Sequence, residues 1–341
     1  MIGIRADANK IIATGHIMRC MTIADALTEL KRKVIFFVAD EESEAFVKDR
    51  GFECEVLNSD WQKLESETDT LAQKLVEYKV NTLLVDSYSV TVDYFKDIRN
   101  KTDSGVRIAY MDDLGKEVYP VDMLINYNAY AYTLDYEEKY GDSMNLLLGP
   151  MYAPLRPQFS KKYEFEKYGQ KSVLIASGGG DPYGICLKLA QEVAKCSELG
   201  DVDFHIVAGN QTDDKELNLL SWCCHNIFVH KNVTEMAELM ASCDVAISAA
   251  GTMLTELCAM QVPAIEYIMA DNQQQNSDYY SSQGIMIAGG DIRDNIDDKV
   301  KNMIEELVNL LSDRYRLRNM KARLVGICDG QGASRIAKEL V

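Results

Sequence analysis

The amino-acid sequence predicts an α/β protein with two domains, each built on a parallel β-sheet that helices cover. Three observations support this prediction. Short apolar runs alternate with helical patterns from end to end, which is typical of parallel sheets. The alternation stops between residues 150 and 171, where three of the six prolines stand among aromatic and charged residues, and then restarts. A length of 341 residues also suits two domains of ordinary size.

The first domain is predicted over residues 1–150. Its β-rich runs predict strands over 2–6, 33–39, 52–57, 82–86, 106–112, 122–126 and 145–149. Apolar residues at helical spacing predict helices over 16–31, 42–50, 62–79 and 91–101. In the first of these helices the spacing is seen at Ile17, Cys20, Met21, Ala24 and Leu27.

A linker is predicted over residues 151–171, and the second domain over residues 172–341. The predicted strands of this domain, the last of which completes its sheet, are 172–178, 203–209, 226–230, 244–251 and 263–269. Helices are predicted over 183–196, 213–224, 233–242 and 252–260, and a helical tail belongs to this domain from about residue 295.

Composition excludes several classes of function. The chain has 36 basic and 53 acidic residues, a net charge of −17, which argues against binding nucleic acid or an anionic membrane through a basic surface. No apolar run reaches the ~18 residues of a membrane span, and the first residues do not resemble a signal peptide. The nine cysteines are scattered without a CxxC pair. These features predict a cytoplasmic monomer with a small-molecule partner.

His16 stands where the first predicted strand gives way to the first predicted helix, within TGHIMR. The positive end of the helix dipole disfavours the imidazolium form, and a neutral imidazole is what a general base requires. Arg19 follows three residues later and so lies on the same side of the helix. The alternative is that His16 merely occupies the start of the helix without a catalytic role.

Three junctions in the second half could bind a nucleotide. Glycines between a strand and a helix, as in ASGGGDPYG, can bring backbone N–H groups close to a phosphate, although a plain turn is the alternative. In SAAGTMLTEL a glycine again opens a helix, a threonine hydroxyl follows, and a carboxylate one turn later suits a ribose diol unless it is only a surface charge. The amides of MADNQQQ could bind sugar hydroxyls or phosphate, or form a solvated loop. The candidate residues are Gly178, Gly179, Gly180, Gly251, Thr252, Glu256, Asn272 and Gln273.

Two acidic strand ends, VDSYS and MDDLG, complete the survey of the first half. The vicinal pair Asp112 and Asp113 could suggest a metal site. Metal sites usually need more converging ligands than one pair supplies, so no metal and no cofactor are predicted.

Several of these motifs together resemble one enzyme family. RADANKIIATGHIMRCMTIADAL, LLVDSY, LLGPMYAPLRPQF, SGGGDP, ISAAGTMLTELCAMQVPAI, ADNQ and ICDGQGASRIAKEL are similar, in this order and over nearly the whole chain, to segments of the UDP-sugar hydrolases of pseudaminic acid biosynthesis. The resemblance implies a GT-B fold, two Rossmann-like domains facing a central cleft. It also implies metal-independent hydrolysis of UDP-2,4-diacetamido-2,4,6-trideoxy-β-L-altropyranose at the C1–O bond, with inversion, to UDP and free sugar.

The resemblance assigns roles residue by residue. His16 corresponds to the general base, and Tyr88 and Asn272 correspond to substrate-site residues. The glycine loop at 178–180, the Gly251–Thr252 turn and Glu256 match positions where related enzymes hold UDP. The predicted substrate site is completed by Arg5, Asp7, Gly15, Arg19 and Gln273.

Two other functions remain open. A glycosyltransferase of the same fold would pass the sugar to an alcohol rather than to water. A sensor of UDP-sugars would keep the second half of the chain but would have no need of His16.

Overall fold

In the computed structural model the chain divides into two compact units, one of residues 1–156 and 331–341 and the other of residues 157–330. The structure describes residues 1–9, 11–12, 14–103, 105–142, 144–165, 169–209 and 215–341. Residues 166–168 of the predicted linker and 213–214 of a predicted helix lie outside the described residues.

Among the residues that the structure describes, seven parallel strands form the sheet of the first unit. They are β1 (Ile2–Ala6), β2 (Val34–Val38), β3 (Glu53–Val56), β4 (Thr82–Asp86), β5 (Arg107–Met111), β6 (Met123–Asn126) and β7 (Asn145–Leu148). Their order across the sheet is β3-β2-β1-β4-β5-β6-β7, and each lies within one residue of its predicted bounds. Every residue of β1, β2 and β4 is buried, as expected for central strands covered on both faces.

Two of the helices within the first 156 residues begin at a side-chain cap. The helices of this part of the chain are α1 (Gly15–Glu29), α2 (Glu41–Asp49), α3 (Thr68–Glu77), α4 (Val92–Lys101) and α5 (Tyr136–Tyr140), with short 3₁₀ helices at Leu64–Glu67, Ala129–Thr133 and Pro150–Tyr152. The Asp40 carboxylate accepts a hydrogen bond from the Ser43 N–H at 2.8 Å and caps α2. The Thr91 hydroxyl accepts one from the Tyr94 N–H at 3.1 Å and caps α4.

Six parallel strands form a sheet in the described part of the second unit. They are β8 (Lys171–Ala176), β9 (Val202–Ala208), β10 (Ile227–Lys231), β11 (Val245–Ala249), β12 (Ala264–Ile268) and β13 (Ile287–Asp291), in the order β10-β9-β8-β11-β12-β13. The prediction that β12 completes the sheet is wrong, because β13 pairs with it at the edge. The glycines of IAGGD suggest a turn, yet Gly289 packs so closely that a Cβ would lie 2.6 Å from Met303 Sδ.

Helices cover the second sheet. They are α6 (Ile185–Lys195), α7 (Lys215–Cys223), α8 (Met236–Ser242), α9 (Met253–Ala259), α10 (Gln274–Ser282), α11 (Ile296–Ser312) and α12 (Arg314–Leu324). The α10 helix was not predicted, because QQNSDYYSS carries no apolar stripe; its buried residues are Ser277 and Tyr280. Among the described residues no helix is long and apolar enough to cross a bilayer.

The end of the chain belongs to the first unit, which corrects its predicted place in the second domain. The last helix, α13 (Gly332–Leu340), packs on α1. Arg335 Nη1 donates a hydrogen bond to the Met151 carbonyl at 2.9 Å. Gly332 lies against the backbone of Ala153 so closely that a Cβ there would collide with the carbonyl oxygen.

Each sheet reverses its strand order at one point. In the first unit β1 lies beside β4, and in the second β8 lies beside β11. Ligands of open α/β sheets bind beyond the carboxyl ends of strands at such a reversal. The loops that follow these four strands are therefore the places to seek a site in each unit.

Candidate active site and nucleotide site

His16 is the second residue of α1 and lies at the reversal point of the first sheet. Its side chain is 10% exposed. The Tyr88 ring meets the imidazole edge-on, with ring centroids 4.5 Å apart. Gly15 before it is exposed, and a Cβ there would meet no atom within 4 Å, so the first turn of α1 is open. His16 is thus almost buried yet lies at an accessible helix start.

Asp86, the last residue of β4, orients the His16 imidazole. The distance from His16 Nδ1 to Asp86 Oδ1 is 2.6 Å, and Asp86 is fully buried. Burial alone would raise the pKa of Asp86, but Arg19 and His16 outweigh it and hold that pKa well below its ordinary value. An ionised carboxylate only accepts hydrogen bonds, so Nδ1 carries the proton and Nε2 keeps its lone pair. This is the tautomer that a general base needs if it is to take a proton from water through Nε2.

Arg19 binds two carboxylates at once. Its Nε and Nη2 each donate to Asp86 at 2.5 Å, and its Nη1 donates to Asp113 Oδ2 and to the Tyr127 hydroxyl, both at 2.8 Å. Burial opposes the charge on Arg19, yet the two carboxylates outweigh it and raise the pKa of the guanidinium. Four of its five N–H donors are thereby engaged, so Arg19 holds Asp86 in place, while its role in substrate binding stays a prediction.

Asp113 fixes the position of Tyr88. Its Oδ2 accepts a hydrogen bond from the Tyr88 hydroxyl at 2.8 Å, and its Oδ1 accepts one from Asn128 Nδ2 at 3.0 Å. Burial and the Asp113 charge raise the pKa of Tyr88, which therefore stays a neutral phenol at physiological pH. Tyr88 is 48% exposed, so its ring can still contact a ligand beside His16.

Asp112 serves a different purpose from its neighbour. Its Oδ1 accepts hydrogen bonds from the backbone N–H groups of Leu114 and Gly115, each at 3.0 Å, and its Oδ2 accepts one from the Tyr136 hydroxyl at 2.9 Å. The two vicinal carboxylates are thus engaged by separate partners. Within the described ranges no group of three His, Cys, Asp or Glu side chains could hold a metal ion.

Arg5 and Asp7, predicted to contact substrate, are buried instead. Arg5 is fully buried, and its guanidinium binds both oxygens of Glu67 at 2.6 and 2.8 Å and Asp7 Oδ2 at 2.5 Å. Asp7 Oδ1 accepts a hydrogen bond from the Ala39 N–H at 2.7 Å. This ion pair joins β1 to the segment before α3, and we therefore assign Arg5 and Asp7 no direct contact with substrate.

The glycine loop after β8 differs from the predicted phosphate cradle in one respect. The carboxylate of Asp181 accepts hydrogen bonds from the backbone N–H groups of Ile185 at 2.8 Å and Cys186 at 2.9 Å. The start of α6 is therefore already occupied by an anion, which a phosphate would have to displace. The loop itself stays accessible, since a Cβ at Gly178 or Gly179 would meet no atom within 4 Å.

The turn after β11 brings together several predicted residues. Thr252 is the N-cap of α9, and its side chain makes no capping hydrogen bond. The nearest atom to a Cβ built on Gly251 is Gln273 Nε2, at 3.6 Å. The other end of that amide is fixed, because Gln273 Oε1 accepts a hydrogen bond from the Met269 N–H at 2.9 Å. Glu256 lies on α9 one turn after Thr252 and is half-buried.

Asn272 lies in a 3₁₀ turn, Asp271–Gln273, directly after β12, and is exposed. The segment for which a solvated loop was the alternative is a short helical turn that continues into α10, and sugar or phosphate binding by Asn272 stays a prediction. Gly180, Thr252 and Asn272 all follow strands at the carboxyl edge of the second sheet.

Sequence reasoning did not identify the partners of His16. VDSYS and MDDLG were noted as acidic strand ends, but nothing in one sequence shows that β1 and β4 are neighbours. The position of Asp86 at the last residue of a buried strand was the available signal. Tyr127 and Asn128 carried none that separates them from ordinary loop residues.

Comparison with known proteins adds relatives to this geometry. Residues 173–340 match the glycosyltransferase family 28 C-terminal domain. The spore coat polysaccharide biosynthesis protein SpsG of Bacillus subtilis is 23% identical over 83% of this chain and 81% of its own length. The UDP-2,4-diacetamido-2,4,6-trideoxy-β-L-altropyranose hydrolase of Campylobacter jejuni is 24% identical over 82% of this chain and 96% of its own length. An uncharacterized protein of Methanocaldococcus jannaschii is 26% identical over 82% of this chain, which spans only 58% of that relative.

Solved structures show the fold. MurG of Acinetobacter baumannii superposes with a TM-score of 0.72 at 13% identity, covering 99% of this chain and 98% of its own. The calicheamicin glycosyltransferase CalG4 superposes with a TM-score of 0.66 at 12% identity, covering 99% and 97%. The fold is GT-B, with two Rossmann-like domains. The family resemblance predicted from the sequence is confirmed, since relatives named as this hydrolase and as SpsG each match more than four fifths of the chain.

Proposed function

We propose that this chain hydrolyses a UDP-linked diacetamido-trideoxyhexose, either UDP-2,4-diacetamido-2,4,6-trideoxy-β-L-altropyranose or a close relative, in the biosynthesis of pseudaminic or a related nonulosonic acid. The observation that carries the proposal is the hydrogen bond between His16 Nδ1 and the buried Asp86 carboxylate, which leaves Nε2 as a base. The named activity of the Campylobacter jejuni relative supports the choice of substrate class.

In the proposed reaction His16 Nε2 takes a proton from a water molecule as that water attacks C1 of the sugar. The bond between C1 and the diphosphate oxygen breaks, UDP departs with the bonding electrons, and the configuration at C1 inverts. The ionised Asp86 stabilises the imidazolium that forms, as a buried carboxylate does in other histidine-based sites. Tyr88, beside the imidazole, contacts the sugar.

We place the nucleotide on the second unit. Gly251, Thr252 and Glu256 form one turn of backbone and side-chain donors and acceptors there, with the Gln273 amide beside it. Backbone N–H groups of this turn and of the loop 178–180 would stabilise the leaving diphosphate without a metal ion. Glu256 would accept hydrogen bonds from the ribose diol.

A glycosyltransferase is the second candidate, because residues 173–340 match a glycosyltransferase domain. The two candidates differ only in what attacks C1. A transferase would need an alcohol acceptor and would release free sugar slowly in its absence.

The test is incubation of the purified chain with the altrose substrate, or with UDP-N-acetylglucosamine as comparison, in ¹⁸O-labelled water without an acceptor. We expect rapid release of UDP, ¹⁸O in the free sugar alone, an inverted anomer in the first NMR spectra, and unchanged rates with EDTA. Release that becomes fast only with an alcohol acceptor would favour the transferase. Binding of UDP-sugar without turnover, both with and without an alcohol acceptor, would contradict both candidates and favour a sensor.

A further inference from the structure

Four charged or ionisable side chains of the proposed active site form one nearly buried cluster. The side chains of His16 and Arg19 are each 10% exposed, that of Asp113 is 8% exposed, and that of Asp86 is fully buried. Arg19 connects the members, since it binds Asp86 through two nitrogens and Asp113 through the third, and its Nη2 lies 3.3 Å from His16 Nδ1.

The cluster holds more negative than positive charges when His16 is neutral. Asp86 is held ionised, because its pKa lies well below the ordinary value, and Arg19 is held cationic. Asp113 accepts hydrogen bonds from Arg19, Tyr88 and Asn128, which is the pattern of a carboxylate. Two carboxylates and one guanidinium leave one surplus negative charge when His16 is neutral. Protonation of His16 brings the cluster to neutrality.

The other ionisable groups around the cluster do not change this balance near neutral pH. Burial raises the pKa of the Tyr127 phenol to about 12, and raises those of the Cys20 thiol, the Tyr88 phenol and the Tyr130 phenol above their ordinary values. Burial also raises the pKa of Asp112, whose oxygens are engaged by Tyr136 and backbone N–H groups. Asp112 thus lies outside the hydrogen bonds of Arg19, and among the carboxylates that Arg19 binds the surplus charge is that of Asp113.

We propose that Asp113 is a positioning residue that acts through Arg19: it neutralises the guanidinium, so that the charge of Asp86 remains available to stabilise the imidazolium of His16. Asp113 has no hydrogen bond to His16 among the contacts of the described residues. This inference rests on the proposed role of His16 as the base. Without Asp113, Arg19 and Asp86 would cancel each other, and His16 would gain a proton less readily.

The test measures protonation of His16 directly. The chain has four histidines, so a ¹⁵N-histidine NMR titration gives few imidazole signals, and the His16 signal is the one lost in His16→Asn. In Asp113→Asn we expect the midpoint of the His16 titration to fall by about one pH unit, the order of effect of removing one nearby charge. The matched control is Asp25→Asn, which removes one carboxylate from the same helix nine residues beyond His16 and should leave the midpoint unchanged.

Arg19→Gln is a second variant, in which the midpoint of the His16 titration should shift in the opposite direction. Removing the guanidinium leaves two carboxylates, so the midpoint should rise. An unchanged His16 midpoint in folded Asp113→Asn would overturn the inference. If that variant does not fold, an unchanged or lower His16 midpoint in Arg19→Gln would overturn it.

Activity supplies an independent readout. If the chain hydrolyses UDP-sugars through His16, the acidic limb of its pH profile of kcat/KM should move to lower pH in Asp113→Asn by the same amount. A midpoint that moves while no UDP-sugar is hydrolysed would contradict the proposed function and leave the electrostatic inference standing. If wild type hydrolyses UDP-sugars but the His16 midpoint does not move in Asp113→Asn, the proposed function stands and the electrostatic inference is contradicted.

Discussion

At the scale of single residues, the hydrogen bond between His16 Nδ1 and Asp86 Oδ1 selects which imidazole nitrogen can act as a base. The helix start favours neutral imidazole, whereas the carboxylate favours its protonated form. A general base needs both properties, because its imidazole must be unprotonated before the reaction and its imidazolium must be stabilised after it accepts the proton. Two predictions separate the contributions of the two residues.

The first concerns His16→Asn. General-base catalysis contributes about 10²–10⁴-fold, so kcat should fall by that order while KM and the melting temperature change little. Steady-state kinetics of UDP release and a thermal melt provide the measurement. His225→Asn, at an exposed histidine of the second unit, is the matched control. Normal turnover by a folded His16→Asn protein would show that the base lies elsewhere.

The second concerns Asp86→Asn. Asparagine has nearly the same shape but no charge, so the Nδ1–H tautomer and the imidazolium both lose their stabilisation, and kcat should fall at least ~10²-fold. Arg19 would lose a buried partner, so the melting temperature should also fall. Kinetics on the folded fraction, scaled by active protein, separate the two effects. If kcat per folded molecule equals that of wild type, Asp86 is only structural.

At the scale of elements, two helix starts in the second unit differ in what occupies them. Asp181 fills the start of α6 with its own carboxylate, whereas the Thr252 side chain at the start of α9 makes no such capping bond. The Gln273 amide also lies beside the turn before α9, and Glu256 lies on α9 one turn after Thr252. We therefore propose that UDP binds chiefly at the turn 251–252 rather than at the start of α6.

Glu256→Ala tests this assignment. Losing a hydrogen bond to a charged group costs on the order of 1.5–3 kcal/mol, so the Kd for UDP should rise ten-fold or more in isothermal calorimetry. Glu238→Ala, at an exposed glutamate of α8, is the control. Equal UDP affinity in the two variants would remove Glu256 from the proposed nucleotide site.

A buried carboxyl between β12 and α10 makes stability depend on pH. Glu266 is fully buried, accepts a hydrogen bond from the Ser277 hydroxyl at 2.6 Å, and burial raises its pKa from 4.5 to about 7. Between these values the native state holds a proton that the unfolded chain has released, so the free energy of unfolding falls as pH rises, and the loss is complete above about pH 7.

Glu266→Gln should therefore raise the free energy of unfolding at pH 8, by on the order of 1–3 kcal/mol. The gain should vanish at pH 4, where the carboxyl is protonated in both states. Urea unfolding at the two pH values gives the comparison, with Glu238→Gln as an exposed control. A gain of the same size at both pH values would exclude this titration as its cause.

At the scale of the whole molecule, the chain builds its first sheet, then the second unit, and returns to pack α13 on α1. The helix that carries His16 is thus supported by the last residues of the chain. Arg107 Nη1 donates a hydrogen bond to the Glu339 carbonyl at 2.7 Å, which ties the end of α13 to β5.

Gly332→Ala tests this closure. The added Cβ would collide with the Ala153 carbonyl oxygen, so the first unit should become less stable and the melting temperature should fall by several degrees. Gly200→Ala is the matched control, because its Cβ would lie 3.4 Å from the Ser197 carbonyl oxygen, an ordinary contact. Equal melting temperatures for the two variants would contradict the close packing.

The sequence by itself determined the α/β class, the two sheets and all strands but β13, because buried parallel strands are runs of apolar residues that local pattern reveals. It also placed His16 at a helix start, since that depends on adjacent residues. Only the tertiary structure decided that β1 lies beside β4, and hence that His16 meets Asp86, because strand order is set by packing between distant segments. The same holds for the burial of Arg5, which depends on Glu67, and for α13, whose apolar stripe is compatible with either unit until α1 is in place.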